Sequence, residues 1–124
     1  MDIRPYRSVL YIPGSKERAL EKARELPVDA IIFDLEDAVT PDAKVEARAT
    51  LAQALAVGGY GAKVKIIRIN GLDTEWGAGD VAALRDAGAD VFLLPKVNSA
   101  ADVQALSEML GNGTPIWAMM ETPL

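Results

Sequence analysis

The chain has 124 residues, half of them hydrophobic and a quarter charged, which is the composition of a folded globular domain. Its net charge of −5 and its lack of a Lys/Arg cluster argue against a nucleic-acid partner. It contains no cysteine and no histidine, which excludes disulfides, thiolate or histidine metal sites and a Ser-His-Asp triad. Catalytic groups must therefore be carboxylates, Arg, Lys, Tyr, Ser or Thr.

The sequence also shows no sign of a membrane segment or of an export signal. No apolar run approaches the ~20 residues that a membrane-spanning helix needs. The stretch from Met1 to Pro5 lacks the apolar core of a secretory signal. We therefore expect no membrane association and a cytoplasmic location.

Short apolar runs alternate with helical segments along the whole chain. The predicted strands are 8–12, 28–33, 64–69, 91–94 and 116–120. The first predicted helix covers 15–26, with Ser15 as its N-cap, and the second covers 40–57 with Pro41 at its first position. A loop from Gly71 to Gly79 precedes a third helix that ends at Gly88, and a fourth helix covers 99–110.

This alternation predicts an α/β fold with a parallel sheet and right-handed crossovers. Two architectures satisfy it, namely an open doubly wound sheet of the flavodoxin type and part of a (β/α)8 barrel. Periodicity does not separate them. The fifth strand has no helix after it, however, whereas a doubly wound domain normally finishes with one, and this favours the barrel.

Polar side chains follow the predicted strands, where the functional groups of parallel α/β folds gather. Arg68 lies in the apolar stretch 66–70, where an unpaired cation would be costly, so it needs a carboxylate from Glu36 or from a substrate acid. Asp34, Glu36 and Asp37 form either a solvated turn or part of a site. Lys96 either reaches solvent or joins that site. Glu121 either pairs with a cation or binds a hard metal such as Mg2+.

Five of these segments together resemble the citrate lyase beta-subunit family, whose superfamily also holds malyl-CoA and citramalyl-CoA lyases and pyruvate-dependent aldolases. The resemblance is carried, in the family's order, by Arg7-Ser8 with Tyr11-Ile12-Pro13-Gly14, by 33–39 (Phe-Asp-Leu-Glu-Asp-Ala-Val), by Arg68-Ile69-Asn70, by 94–97 (Leu-Pro-Lys-Val) and by 120–123 (Met-Glu-Thr-Pro). It spans essentially the whole chain. The implied fold is one domain, 1–124, forming the N-terminal half of a (β/α)8 barrel: a partial barrel of about four and a half βα units.

The resemblance also implies site roles. Glu121 matches a Mg2+ ligand whose partner aspartate would lie beyond Leu124. Arg68 matches the arginine that grips the oxo-acid, while Glu36 and Asp37 match acidic positions that orient metal-bound water or Arg68. Lys16, Arg18 and Lys96 are expected to contact the substrate, the first two through the phosphates of coenzyme A or an acyl carrier protein.

The implied activity is a Mg2+-dependent carbon–carbon lyase that cleaves a citryl-, citramalyl- or malyl-type thioester to an oxo-acid and an acetyl thioester. Because the second metal ligand of the family would lie beyond Leu124, the chain by itself is expected to be inactive or incomplete as an enzyme. A homo-oligomer is expected, with other lyase subunits as further partners. One alternative is a non-catalytic half-barrel that self-associates to cover its open strand edges. Another is a pyruvate-type class II aldolase, although the chain lacks the histidine base typical of that branch.

Overall fold

A computed structural model of the protein describes residues 9–36, 38–61, 63–72, 74–95, 100–111 and 114–118. Its strands are β1 (Val9–Pro13), β2 (Ala30–Asp34), β3 (Val64–Arg68), β4 (Val91–Leu94) and β5 (Ile116–Ala118). Its helices are α1 (Glu17–Ala23), α2 (Lys44–Val57), α3 (Gly77–Leu84) and α4 (Ala100–Leu110), with a 3-10 turn, Pro41–Ala43, directly before α2. Within these residues, none of the helices has the length and apolarity that crossing a bilayer requires.

The five strands form one parallel sheet in sequential order, β1-β2-β3-β4-β5. Alternate strand residues such as Phe33, Ile67 and Phe92 pack with apolar residues of all four helices. The intervening strand residues form a second apolar cluster on the opposite face: Ala30, Ile32, Val64, Ile66, Val91 and Leu93, with Trp117 packed against them. Both faces of the sheet are therefore apolar, as expected for a parallel sheet.

This arrangement decides between the two architectures that the sequence allowed. A doubly wound sheet reverses its strand order and places helices on both faces. Across the described ranges, the order never reverses and the helices pack against one face only. The fold is therefore that of the first four and a half βα units of a (β/α)8 barrel, as predicted, and the doubly wound alternative is wrong.

Helix α1 is shorter than predicted at both ends. Ser15 is not its N-cap, because the N–H of Lys16 closes a turn onto the carbonyl of Pro13 and the helix begins at Glu17. Lys16 takes the N-cap position without a side-chain hydrogen bond. The α-helix ends at Ala23 rather than near Leu26, because the N–H groups of Arg24 and Glu25 bond to the carbonyls three residues earlier, which tightens the last turn. Pro27 then disfavours a helical conformation at Leu26.

Helix α3 begins inside the segment predicted as a loop. Gly77 and Gly79 are helical residues and do not form a turn. Their lack of a side chain allows neighbouring groups to approach the helix closely. A Cβ on Gly77 would lie 2.3 Å from the carbonyl oxygen of Gly71, and one on Gly79 would lie 2.6 Å from the Arg48 guanidinium. These two glycines, which the sequence analysis placed in a loop, thus allow α3 to pack tightly on its neighbours.

Candidate functional site

A buried ion pair joins the carboxyl ends of β2 and β3. Asp34 and Arg68 are the last residues of these strands and lie opposite each other in the register. Arg68 donates from Nε to Oδ1 of Asp34 at 2.8 Å and from Nη2 to Oδ2 at 2.5 Å. The relative exposure is 1% for Asp34 and 8% for Arg68. This two-pronged geometry fixes the plane of the guanidinium as well as its position.

The loop after β2 bends around the same carboxylate. Asp34 accepts hydrogen bonds from the backbone N–H of Glu36 at 2.8 Å and of Ala38 at 3.0 Å. Burial alone would raise the pKa of Asp34, but the hydrogen bonds from Arg68 and from the two N–H groups, together with the charge of Arg68, lower it below its ordinary value of 3.8. Asp34 is therefore ionised at neutral pH.

Glu36 and Tyr11 lie beside this pair. The expected ion pair of Arg68 with Glu36 is present at 3.9 Å between Nε and Oε1, while the carboxylate that is hydrogen-bonded to Arg68 is that of Asp34. The Arg68 guanidinium carbon lies 5.4 Å from the centroid of the Tyr11 ring, within range of a cation–π interaction. Glu36 thus places a second carboxylate at the guanidinium.

A second buried network fixes the chain just after β3. The fully buried carboxylate of Asp80 on α3 accepts through Oδ2 from the backbone N–H of Asn70 at 2.9 Å and from its side-chain amide at 2.6 Å. Its Oδ1 accepts from Nε of Arg48 on α2 at 2.7 Å. Arg48 also donates to the carbonyl of Trp76 at 3.0 Å. The residues that follow Arg68 are therefore held from the helix layer.

Sequence reasoning did not single out Arg48, Asp80 or Lys44, which is a buried lysine at the first position of α2. One signal was available. Lys44 and Arg48 are four residues apart, so they project from one face of a helix, and that face also carries the buried Ala47 and Leu51. Cations on the apolar stripe of a helix indicate buried polar partners.

Of the remaining predicted site residues, the structure describes Lys16 and Arg18, and neither is among the described hydrogen-bond or ion-pair partners of Asp34 and Arg68. Lys16 and Arg18 have exposed side chains at the start of α1. Asp37, Lys96 and Glu121 lie outside the described residues, so their predicted roles stay predictions. Among the residues that are described, no three acidic side chains come together as a metal site. Both carboxylate oxygens of Asp34 are engaged by Arg68 and backbone N–H groups, which leaves Asp34 unsuited to bind a metal.

Gly14, in the turn after β1, has a structural role. Its N–H donates to the carbonyl of Asp34 at 2.8 Å. A Cβ at this position would lie 2.7 Å from a methyl carbon of Leu35. The glycine therefore lets the turn after β1 pack against the acidic loop, which is the segment 35–40 between β2 and the 3-10 turn.

Comparison with known proteins identifies relatives that match most of the chain. The family model described as HpcH/HpaI aldolase/citrate lyase matches residues 7–114. A (3S)-malyl-CoA thioesterase from Cereibacter sphaeroides is 60% identical over 97% of this chain and 42% of its own length. An L-malyl-CoA/beta-methylmalyl-CoA lyase from the same species is 40% identical over 86% of this chain and 35% of its own. The chain thus spans less than half the length of these relatives.

A solved structure shows the same fold. The citrate lyase beta subunit from M. tuberculosis, complexed with oxaloacetate and magnesium, matches with a TM-score of 0.75 and 30% identity. The match covers 92% of this chain and 47% of that chain. Structural neighbours of this protein have therefore been crystallised with magnesium.

The Asp34–Arg68 pair predicts a specific effect of Asp34→Asn. Loss of the charge removes the hydrogen-bonded counter-ion of the buried Arg68, which should cost about 3–5 kcal/mol of unfolding free energy at pH 7. Because the folded-state pKa of Asp34 is lowered, its stabilisation is present above the unfolded pKa of ~3.9 and is lost as pH falls through the folded value. Urea denaturation from pH 7 down to pH 2 should therefore show a smaller loss of stability in the variant.

The matched control is Asp86→Asn, whose carboxylate is exposed and pairs only with neighbouring Arg85 among the ion pairs described. It should change stability by less than about 0.5 kcal/mol and leave the pH dependence intact. Equal effects of the two variants would contradict the role of Asp34.

Proposed function

Because the chain belongs to the HpcH/HpaI aldolase/citrate lyase family, we propose that this protein is an enzyme acting on the coenzyme A thioester of a small hydroxy acid of the malyl type. Family members with related sequences are enzymes of that kind by name. The structural observation that carries the proposal is the oriented guanidinium of Arg68 at the strand ends. A guanidinium fixed in plane suits recognition of the free carboxylate of such an acid.

We propose hydrolysis of the thioester as the reaction, a choice supported by the 60% identity to a malyl-CoA thioesterase. Water attacks the thioester carbonyl carbon, the carbon–sulfur bond breaks, and the proton lost by water ends on the coenzyme A thiol. Glu36 and Asp37 are the proposed carboxylates that orient or deprotonate the water. The Glu36 carboxylate lies 3.9 Å from Nε of Arg68, which supports the proposed role of Glu36.

Carbon–carbon cleavage is the second candidate, supported by the 40% identity to a malyl-CoA lyase. In that reaction the hydroxyl proton leaves and the hydroxyl carbon becomes a carbonyl. The bond to the neighbouring carbon breaks, and its electron pair passes into the thioester enolate, which is then protonated on carbon. The same Arg68 would hold the acid in both reactions, so recognition alone does not distinguish them.

Mg2+ is the proposed cofactor, and the donor set of the chain suits it. The sequence has neither histidine nor cysteine, so its metal-binding side chains are oxygen donors, which this hard cation prefers. Glu121 would hold the ion. When bound, Mg2+ would polarise oxygen atoms of the acid portion of the substrate.

Lys16, Arg18 and Lys96 remain proposed substrate contacts. The exposed side chains of Lys16 and Arg18 suit phosphate groups that approach from solvent.

An acyl carrier protein in place of coenzyme A, self-association, and assembly with other lyase subunits also remain proposals. Val9 and Tyr11 on edge strand β1 are 44% and 52% exposed, which supports coverage of this edge by another surface. Light scattering would show self-association as a mass above 13.2 kDa.

A product assay tests the proposed reaction. Incubated with malyl-CoA, the protein should release free coenzyme A thiol, detected with a thiol reagent, in step with malate. The 124 residues carry no cysteine and add no background. Arg68→Lys should lower kcat/KM by about 100-fold, because a point charge does not reproduce the fixed two-pronged orientation.

The control for that variant is Arg85→Lys, an exposed arginine that should keep full activity. Acetyl-CoA and glyoxylate without free thiol would instead establish the lyase reaction. No turnover of malyl-CoA by either route would refute the proposed function.

Magnesium binding by Glu121 predicts a second result. In calorimetric titrations, Mg2+ should bind to this protein and lose its affinity in Glu121→Gln, because the amide removes an anionic ligand. Glu108→Gln is the matched control, since Glu108 is exposed on α4 and should leave binding unchanged. Retained affinity in Glu121→Gln would exclude this residue as a ligand.

A further inference from the structure

Lys44 ties helix α2 to the acidic loop. Its ammonium donates to the carbonyl of Leu35 at 3.1 Å and to that of Glu36 at 2.7 Å. It also lies 5.3 Å from the centroid of the Trp76 ring. The residue is only 6% exposed. A buried cation therefore sits directly beneath the turn that follows Asp34.

The two carbonyl groups do not need a lysine to be satisfied. Leu35 O also accepts from the side-chain amide of Asn70 at 2.9 Å, and Glu36 O accepts from the N–H of Val39 at 3.2 Å. Burying an ammonium is costly, whereas an apolar side chain such as methionine would fill the same space without that cost. What Lys44 adds is a positive charge and a rigid link between the helix and the loop.

We propose that Lys44 is a positioning residue that holds the acidic loop, and through it Glu36 and the Asp34–Arg68 pair, in the geometry used for substrate. This inference rests on the proposed function for its catalytic consequence. A short series of hydrogen bonds connects Lys44 to Arg68. Lys44 fixes the carbonyls of residues 35 and 36, while the N–H groups of Glu36 and Ala38 bind Asp34, which in turn orients Arg68.

The rest of α2 supports this assignment. One turn after Lys44, Arg48 holds Asp80 and the carbonyl of Trp76, so the same helix face fixes the chain after β3. Asn70 joins the two halves, because its amide donates both to Asp80 and to Leu35 O. The strand ends that carry Asp34 and Arg68 are thus held by one helix through two cations.

The activity test compares Lys44→Met with Lys63→Met. Lys63 also donates to a backbone carbonyl, that of Arg24 at 3.1 Å, but it lies just before β3, at the opposite end of the sheet. Lys63→Met removes one hydrogen bond from a lysine to a backbone carbonyl, and Lys44→Met removes two. Lys44→Met should lower kcat/KM for malyl-CoA by about 10–100-fold at a temperature where it stays folded, and Lys63→Met should not. Equal losses in the two variants would overturn the proposal.

A measurement without turnover separates this inference from the proposed function. Hydrogen exchange followed by NMR should show faster exchange at the N–H of Glu36 and Ala38 and at Nε–H of Arg68 in Lys44→Met, with Ile32 in mid-strand unchanged. Unchanged exchange at all three positions would overturn the positioning role, whether or not malyl-CoA is a substrate.

Chemical rescue distinguishes the charge from simple packing. Because the chain has no cysteine, Lys44→Cys can be alkylated selectively with 2-bromoethylamine in denaturant and refolded, which restores an ammonium at nearly the original length. Exchange at Glu36, Ala38 and Arg68 should slow again. Alkylation that restores stability but not slow exchange would contradict positioning by Lys44. If Lys44→Met does not fold, the comparison of alkylated and unalkylated Lys44→Cys carries the test.

Discussion

A guanidinium buried at the end of an apolar strand has to be paired, and Arg68 meets that requirement through Asp34 on the neighbouring strand. Both residues continue the inner-face alternation of their strands, after Ile32 in β2 and Ile66 in β3. On the face of the sheet away from the helices, the side chains are apolar up to the carboxyl ends of β2 and β3, where the charged pair Asp34 and Arg68 follows. A two-pronged bond between adjacent strands then fixes the guanidinium plane, which is what recognition of a carboxylate requires.

The surrounding structure holds this pair in place. The loop after β2 must bend to direct the N–H groups of Glu36 and Ala38 at Asp34, and that bend exposes two carbonyls to the buried face of α2. Lys44 binds those carbonyls. The fully buried Asp80 fixes the chain after β3. Lys44 on α2 and Asp80 on α3 thus hold the loops that follow β2 and β3. Through these loops, the packing of the helices supports the proposed chemistry of the Asp34–Arg68 pair.

Much of this fold followed from sequence, because strand and helix periodicities are local. The prediction of β4 at 91–94 is confirmed to the residue, and the polar strand ends at Asp34 and Arg68 do lie together. The details that depend on tertiary contacts were wrong or missed. Ser15 does not cap α1 because a backbone turn takes its place, and Gly77 lies in α3, where the nearby Gly71 carbonyl leaves no room for a side chain. That Asp34 rather than Glu36 is the hydrogen-bonded partner of Arg68 depends on strand register, which a single sequence does not state.

The central claim is that the Asp34–Arg68 pair acts as one unit at the site. A double-mutant cycle in urea unfolding, with Asp34→Asn, Arg68→Gln and the combination, measures this coupling directly. The account predicts that each single variant is strongly destabilised and that the double variant loses about 1–3 kcal/mol less than the sum of the two. Additive losses, within about 0.5 kcal/mol, would show that the two residues act independently and would contradict the account.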